Sequence, residues 1–320
     1  MHRMPPRHRH RPDLDRRRVI RHGGLAAMGM ALAAGWPDAA AQPAPAQPAA
    51  AGRLFSAYGI TAPVGRAAEL RAVGAEYLVE HVADFLMPDA PESAFERQRE
   101  RAAAAPIPVR GCNVFLKAGL RCTGPEADHA RVLAYAAIAF ERLERAGGTF
   151  IGLGSSDARR IPEGWPKARA DEQFIALLKA MAPLAARHHI TVSVESQRRE
   201  EVNYLNRIAE VVAVVAAVDH PNIRVLADFY HMAVMGDSPA DIAAAGPWVG
   251  LTEIAERERR TVPGVAGDDF RPAFTALARA GYRGPITIEG NGTPDELRRA
   301  FAVIDTQSRE ALAAATRPAG

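Results

Sequence analysis

Cysteine is nearly absent from this chain. Cys112 and Cys122 are the only two in 320 residues. One pair cannot be decisive for a fold of this length. An oxidising compartment would permit it to pair, but Cys112 falls in a strand-like segment, and two isolated thiols are the expectation. A glycine-rich phosphate loop is also missing. SAYGITAPVG (56–65) does not match G-x-G-x-x-G, which counts against an open, doubly wound nucleotide-binding sheet. No internal repeat is present. The most apolar run, GGLAAMGMALAAGW (23–36), is too short to span a bilayer comfortably. Surplus positive charge is missing from the body of the chain. Residues 1–41 hold eight arginines against three aspartates, so the formal +3 of the whole leaves about −2 for the remainder. That body has no global electrostatic reason to bind nucleic acid.

The basic N-terminus has its own organisation. D-R-R-R-V-I-R (15–21) precedes the weakly apolar run, and Ala39-Ala40-Ala41-Gln42 follows it. Charged region, apolar region and small-residue cleavage site are the three parts of a secretory signal. Arg16-Arg17 with the following Val19-Ile20 resembles the twin-arginine signal. The expectation is a signal peptide over 1–41, cleaved after Ala41, and an Ala/Pro linker over 42–52. A periplasmic or secreted location follows, with no stable membrane insertion after cleavage. A basic tail or an uncleaved anchor is the alternative. No cysteine stands directly after the cleavage site, so lipid attachment there is not expected.

From residue 53 to about 310, strand-like and helix-like segments alternate, and 311–320 reads as a flexible tail. Strand patterns are RLFSAYGI, AEYLVEHV, IPVRGCNVFL, TFIGLGSS, ITVSVE, NIRVLAD, VGLTE and PITIE. Helical patterns separate them, including DHARVLAYAAIAFERLERAGG with its glycine stop. A polar stretch at 156–173 reads as loop, with the following helix expected from Phe174. Eight βα units with right-handed crossovers predict a single (β/α)₈ TIM barrel.

Four successive strands in the second half end in a carboxylate: Glu195, Asp228, Glu253 and Glu289, at gaps of 33, 25 and 36 residues. Parallel strands place their C-terminal ends on one face, where barrels of this kind keep their sites. Four uncompensated carboxylates repel strongly when they share a site. One divalent cation relieves this, and an all-oxygen set favours Mg²⁺ or Mn²⁺. A single strand-end Glu is ordinarily solvated or salt-bridged; the argument rests on four together.

The motifs L-A-D-F-Y-H-M (226–232) after D-H-P-N (219–222), E-I-A-E-R-E-R-R-T-V-P-G (253–264), D-D-F (268–270) and I-T-I-E (286–289) resemble the xylose isomerase-like superfamily of sugar isomerases and epimerases. N-V-F-L-K-A-G-L-R-C-T-G-P (113–125) is similar to a third-strand motif in some bacterial members. The resemblance runs from about residue 53 to 305. It implies that Glu195, Asp228 and Glu289 bind one divalent metal. The family usually supplies a histidine where this chain has Glu253, so Glu253 is either a fourth ligand or the partner of an arginine beside a three-ligand ion. The resemblance further implies substrate contacts from His231, Arg260 and Glu201, with Glu200 an equal candidate to Glu201. Arg159 and Arg160 could meet an anionic substrate or simply solvate a loop. Glu80 could support the site from strand two. His188 and His189 read as structural at a helix C-terminus.

The activity implied by the resemblance is isomerisation or epimerisation of a keto sugar. Glu195 and Glu289 would exchange the α-proton from opposite sides, through an enediolate. The same abstraction could instead expel a β-leaving group, giving a lyase on 3-keto-glycosides, and a sugar-binding barrel without catalysis is the third reading. The expected partner is a small sugar or keto-sugar, with no nucleic acid, and a homo-oligomer is left open. A DNA-repair endonuclease of related fold would need a His-rich multi-metal cluster and a basic surface, and neither is present in this sequence.

Overall fold

The computed structural model describes residues 52–316. The expected signal peptide at 1–41 and nearly all of the linker at 42–52 lie outside the described residues. Eight parallel strands form a closed barrel in sequence order. They are β1 (Tyr58–Thr61), β2 (Tyr77–His81), β3 (Val109–Asn113), β4 (Phe150–Leu153), β5 (Thr191–Glu195), β6 (Ile223–Asp228), β7 (Val249–Ile254) and β8 (Ile286–Ile288). The barrel closes where β1 pairs with β8, with Tyr58 opposite Ile286 and Ile60 opposite Ile288. The expected (β/α)₈ architecture is therefore the observed one.

Side chains alternate across each strand, and the two faces have different company. Leu78, Cys112, Val192, Val194 and Val225 face the surrounding helices within the large apolar shell. Tyr77, Val79, Phe150, Leu226 and Leu251 form a separate cluster inside the barrel. Large rings fit there because neighbouring strands supply glycine. A Cβ at Gly59 would lie 2.2 Å from the Tyr77 ring, and one at Gly111 would lie 2.1 Å from Phe150. The two rings meet edge to face, 6.2 Å between centroids, and the Tyr77 hydroxyl is 2.7 Å from Thr287 Oγ1. This apolar plug is the floor under the strand-end acids.

Several boundaries differ from expectation, each for a local reason. The expected first strand began at 53, but β1 begins at Tyr58. Leu54 and Phe55 are fully buried before it, and Phe55 packs edge-on to Phe274 at 5.0 Å; their hydrophobicity serves packing instead of strand pairing. The helix expected from Phe174 starts at Lys167 and runs to Arg187. Its first turns carry a Lys167–Asp171 pair at 3.0 Å, the i,i+4 spacing of a solvated helix face. The final helix, Pro294–Ala315, corrects the flexible tail expected at 311–320: residues 311–315 are helical, and Ala311 is buried. It starts at a capping box between Thr293 and Glu296. Among the described residues no helix is long and apolar enough to cross a membrane. Cys112 and Cys122 are both buried and free.

Candidate active site

Inward alternation from the plug carries directly to the acids. Leu226 and Leu251 are register partners, and so are Asp228 and Glu253 two residues later. This alignment depends on a register shift opposite Gly250, an extra residue of the bulge kind. Glycine is required there, since a Cβ would meet Arg224 Cβ at 2.6 Å. Glu195 ends β5, and Glu289 follows β8, its N–H donating to the Ile254 carbonyl at 3.1 Å. One oxygen from each of Glu195, Asp228, Glu253 and Glu289 lies within 4.8 Å of every other. The structure thus brings all four strand-end acids to one point.

Burial makes this an electrostatic problem. Glu195, Asp228 and Glu253 are buried, Asp228 and Glu253 at only 1% exposure. Desolvation, and then the neighbouring carboxylates, push the Glu195 and Glu253 carboxyls well above the usual range. Burial raises Glu289 as well, opposed by the Arg260 guanidinium. Glu253 forms no ion pair with arginine among the described residues, and its Oε1 has no hydrogen-bond partner. A cluster of buried acids with an orphaned oxygen fits a hard divalent cation. Glu195, Asp228 and His231 form a second, overlapping group of possible ligands.

Asp228 does two things at once. Its Oδ1 caps a short helix, Phe229–Met235, accepting from the N–H groups of Tyr230 at 2.7 Å and His231 at 3.4 Å. Its Oδ2 faces His231 Nε2 at 3.6 Å and Arg260 Nη2 at 3.4 Å. That helix starts directly at the strand end, so His231 turns back over the cavity, with Nε2 at 3.3 Å from Glu195 Oε1. His231 Nδ1 accepts from the Arg198 N–H at 3.3 Å, which leaves the proton of the neutral ring on Nε2. Burial holds its pKa below the ordinary value.

Arg260 Nη2 pairs with Glu289 Oε2 at 2.5 Å, and its Nε donates to the Glu289 carbonyl at 3.1 Å. The preceding Arg259 is solvent-exposed, at 78%. Glu201 lines the same cavity, 3.8 Å from His231 Nε2, whereas Glu200 is exposed. The cavity measures about 220 Å³, with Asn113, Val114 and Ser155 on the opposite wall. Asn113 Nδ2 donates to Glu289 Oε1 at 2.9 Å.

Two expectations are corrected. Glu80 does not support the site: alternation from Val79 places it on the outer face of β2, where it accepts from the Val64 N–H. Arg159 is neither a solvated loop residue nor exposed to substrate; it is fully buried. Arg160 reaches the Glu201 carbonyl. His188 pairs with Glu144 at 2.8 Å, and His189 adopts a left-handed conformation after the helix.

Residues not singled out from sequence complete the site. Glu256, fully buried, accepts from the backbone N–H groups of Gly264, Val265, Ala266, Gly267 and Asp268. This ties down the loop that carries Arg260. Tyr230 lies between two guanidinium groups, Arg198 at 5.4 Å and Arg260 at 4.9 Å from its ring centre. The I-A-E string was a visible signal for Glu256; Tyr230 and Arg198 carry none beyond adjacency to His231 and Glu195.

A family model described as "Xylose isomerase-like TIM barrel" matches residues 65–307, well over half of the chain. An L-ribulose 3-epimerase of Methylomonas sp. strain DH-1 is 34% identical over 116 residues, 36% of this chain and 40% of that protein. A D-psicose 3-epimerase of Agrobacterium fabrum is 36% identical over 101 residues, 31% of this chain and 35% of that one. The matched segment thus spans well under half the length of these relatives. In three dimensions, a 3-keto-D-glucoside 4-epimerase from E. coli superposes with a TM-score of 0.66 at 17% identity, over 78% of this chain and 98% of that one. At that identity the likeness is one of fold.

Proposed function

The chain belongs to the xylose isomerase-like TIM barrel family, and we propose that it is a metal-dependent isomerase or epimerase of keto sugars. The observation that carries this reading is the convergence of four carboxylates, three of them buried and Glu289 partly exposed, within 4.8 Å. Similarity to ketose 3-epimerases supports it. Glu195, Asp228, Glu253 and Glu289 would hold one Mn²⁺ or Mg²⁺. When bound, such an ion supplies Lewis-acid stabilisation of the negative charge that develops on the substrate's oxygens.

The chain's own groups then do the rest. Glu195 and Glu289 come from strands on different sides of the cavity and exchange the proton α to the carbonyl, one taking it and the other returning it. The electrons left behind form an enediolate. Epimerisation follows if the proton returns to the opposite face of the same carbon, and isomerisation if it returns to the neighbouring carbon. Both carboxyls sit at the cavity wall, where a positioned side chain can take or return a proton. His231, with its proton on Nε2, donates to a substrate oxygen. Arg260 and Glu201 hold the remaining hydroxyls, and Arg260 also restrains Glu289. Fixed positions on strand ends reduce the ordering that the reaction itself must supply.

The test is metal content of the purified protein together with a panel of D-fructose, D-psicose, L-ribulose and a 3-keto-glycoside. One divalent ion per chain and an altered sugar are expected. Release of the aglycone from the glycoside would move the reading to β-elimination by the same site. Absence of bindable metal would leave a sugar-binding barrel. We also propose export by the twin-arginine route, on the strength of residues 15–42. Arg16-Arg17 to Lys-Lys should retain the precursor in the cytoplasm; undiminished export would refute that route.

A further inference from the structure

The segment after β4 contains a one-turn helix, Ser156–Arg159, where loop was expected, and brings no carboxylate to the cavity. It nevertheless carries Arg159, the largest fully buried side chain among the described residues. Its Nη1 donates to the Glu195 backbone carbonyl at 2.7 Å, and its Nη2 to Gln197 Oε1 at 2.9 Å. Ser156 Oγ donates to the same Gln197 oxygen at 2.9 Å. Two donors on that oxygen leave the amide one orientation, with its NH₂ group facing Glu195. Gln197 Nε2 indeed donates to Glu195 Oε2 at 3.1 Å. With Oε2 held on the β4 side, Oε1 turns toward His231.

The backbone is shaped around this contact. A Cβ at Gly154 would lie 2.1 Å from Glu195 Oε2 and 2.6 Å from Gln197 Nε2. Arg159 has no carboxylate within ion-pair distance among the described residues. Burying a guanidinium on neutral acceptors carries a desolvation penalty, and burial, opposed chiefly by the nearby Glu195 carboxylate, brings its pKa down to about 10. A nonpolar side chain of similar size would fill the same space without that penalty. What the arginine adds is direction: a rigid planar fork with two fixed acceptors.

We propose that Arg159, Gln197 and Gly154 form a clamp that fixes the orientation of the Glu195 carboxylate and thereby sets the affinity of the divalent-cation site. Arg159 and Gln197 are positioning residues, and the assignment rests on the reading of Glu195 as a metal ligand. Outer groups that orient a ligand change metal affinity or activity by about 10–100-fold.

The experiment is titration calorimetry with Mn²⁺ on the parent, Arg159→Met, Gln197→Met and the double variant, with Tm measured alongside. Arg142→Met is the control. Arg142 is another buried arginine, donating to the carbonyls of Leu86 and Ala90 and pairing with Glu92 at 3.0 Å, with no contact to the four strand-end acids. Each single clamp variant should weaken Mn²⁺ binding by about 10–100-fold. The double variant should be little weaker than the worse single, because Arg159 acts largely through Gln197. Arg142→Met should lower Tm and keep parental Mn²⁺ affinity. For a ketose that the parent converts, the clamp variants should lose kcat with KM near parental. Clamp variants that bind Mn²⁺ as tightly as a parent that binds it, or losses that simply add in the double variant, overturn the clamp alone. A parent that binds no Mn²⁺ overturns the metal reading and the clamp with it. Should Arg159→Met fail to fold, Gln197→Met and Gly154→Ala decide the matter: parental affinity in both refutes the proposal.

Discussion

The two halves of the barrel differ in what they present to the cavity. At the C-terminal ends of β5 to β8 stand Glu195, Asp228, Glu253 and Glu289, all converging. On the β1 to β4 side, Asn113, Gly152 and, just after β4, Gly154 line the cavity. The neutral half is not idle. Asn113 donates to Glu289, and the loop after β4 holds Glu195 through Gln197. One half carries the charge, and the other orients it. Glycine is useful in the second role because a carboxylate can approach the backbone where no Cβ intervenes.

Changes to the charged half should have the largest effects. Asp228→Asn removes one charge from the acid cluster and the oxygen that faces His231, and Glu289→Gln removes the partner of Arg260. Each should weaken Mn²⁺ binding by more than the roughly 100-fold upper range for outer groups, as read by calorimetry. Parental affinity in both would mean that the site is elsewhere. A more selective change is Glu253→His. It should retain a metal site and shift its preference from Mn²⁺ or Mg²⁺ toward Co²⁺ or Zn²⁺, since imidazole is the softer ligand. Competition titrations would reveal no shift if Glu253 stays outside the coordination sphere.

The smallest effect belongs to the neutral half and concerns stability. Burial raises the Glu80 carboxyl to about 7. A raised carboxyl binds its proton more tightly in the folded state. Its contribution is therefore intact below the unfolded value near 4.5, is lost as pH rises toward 7, and is level above that. Glu80→Gln should remove this slope, a difference of up to about 3 kcal/mol between the ends of the window. Denaturant midpoints of parent and variant that run parallel from pH 4.5 to 7.5 would contradict it.

The same contrast marks what could be read from the sequence. The acids were legible because strand ends in a parallel barrel share one face, so position along the chain sufficed for Glu195, Asp228, Glu253 and Glu289. His231 and Arg260 were legible through motifs around them, and Glu201 was separated from Glu200 only by the fold. Gln197 and Arg159 were not legible. Their pairing spans 38 residues and two loops, and Arg159 sits in a polar stretch that reads as solvated. Glu80 misled because a strand-end acid looks the same whichever face it occupies; one residue of alternation turned it away from the cavity. The helix Phe229–Met235 was hidden because it begins directly after the strand's last residue, Asp228, with no loop between.

The central claim is that four carboxylates surround one ion, and diffraction from crystals grown with Mn²⁺, collected above and below the manganese edge, tests it most directly. A single anomalous peak is expected at the C-terminal mouth of the barrel, with an oxygen of Glu195, Asp228, Glu253 and Glu289 each about 2.0–2.6 Å away. A map with no such peak, or with the ion bound elsewhere, would contradict the metal site. An ion held by three acids with Glu253 turned onto an arginine would contradict the four-carboxylate claim alone.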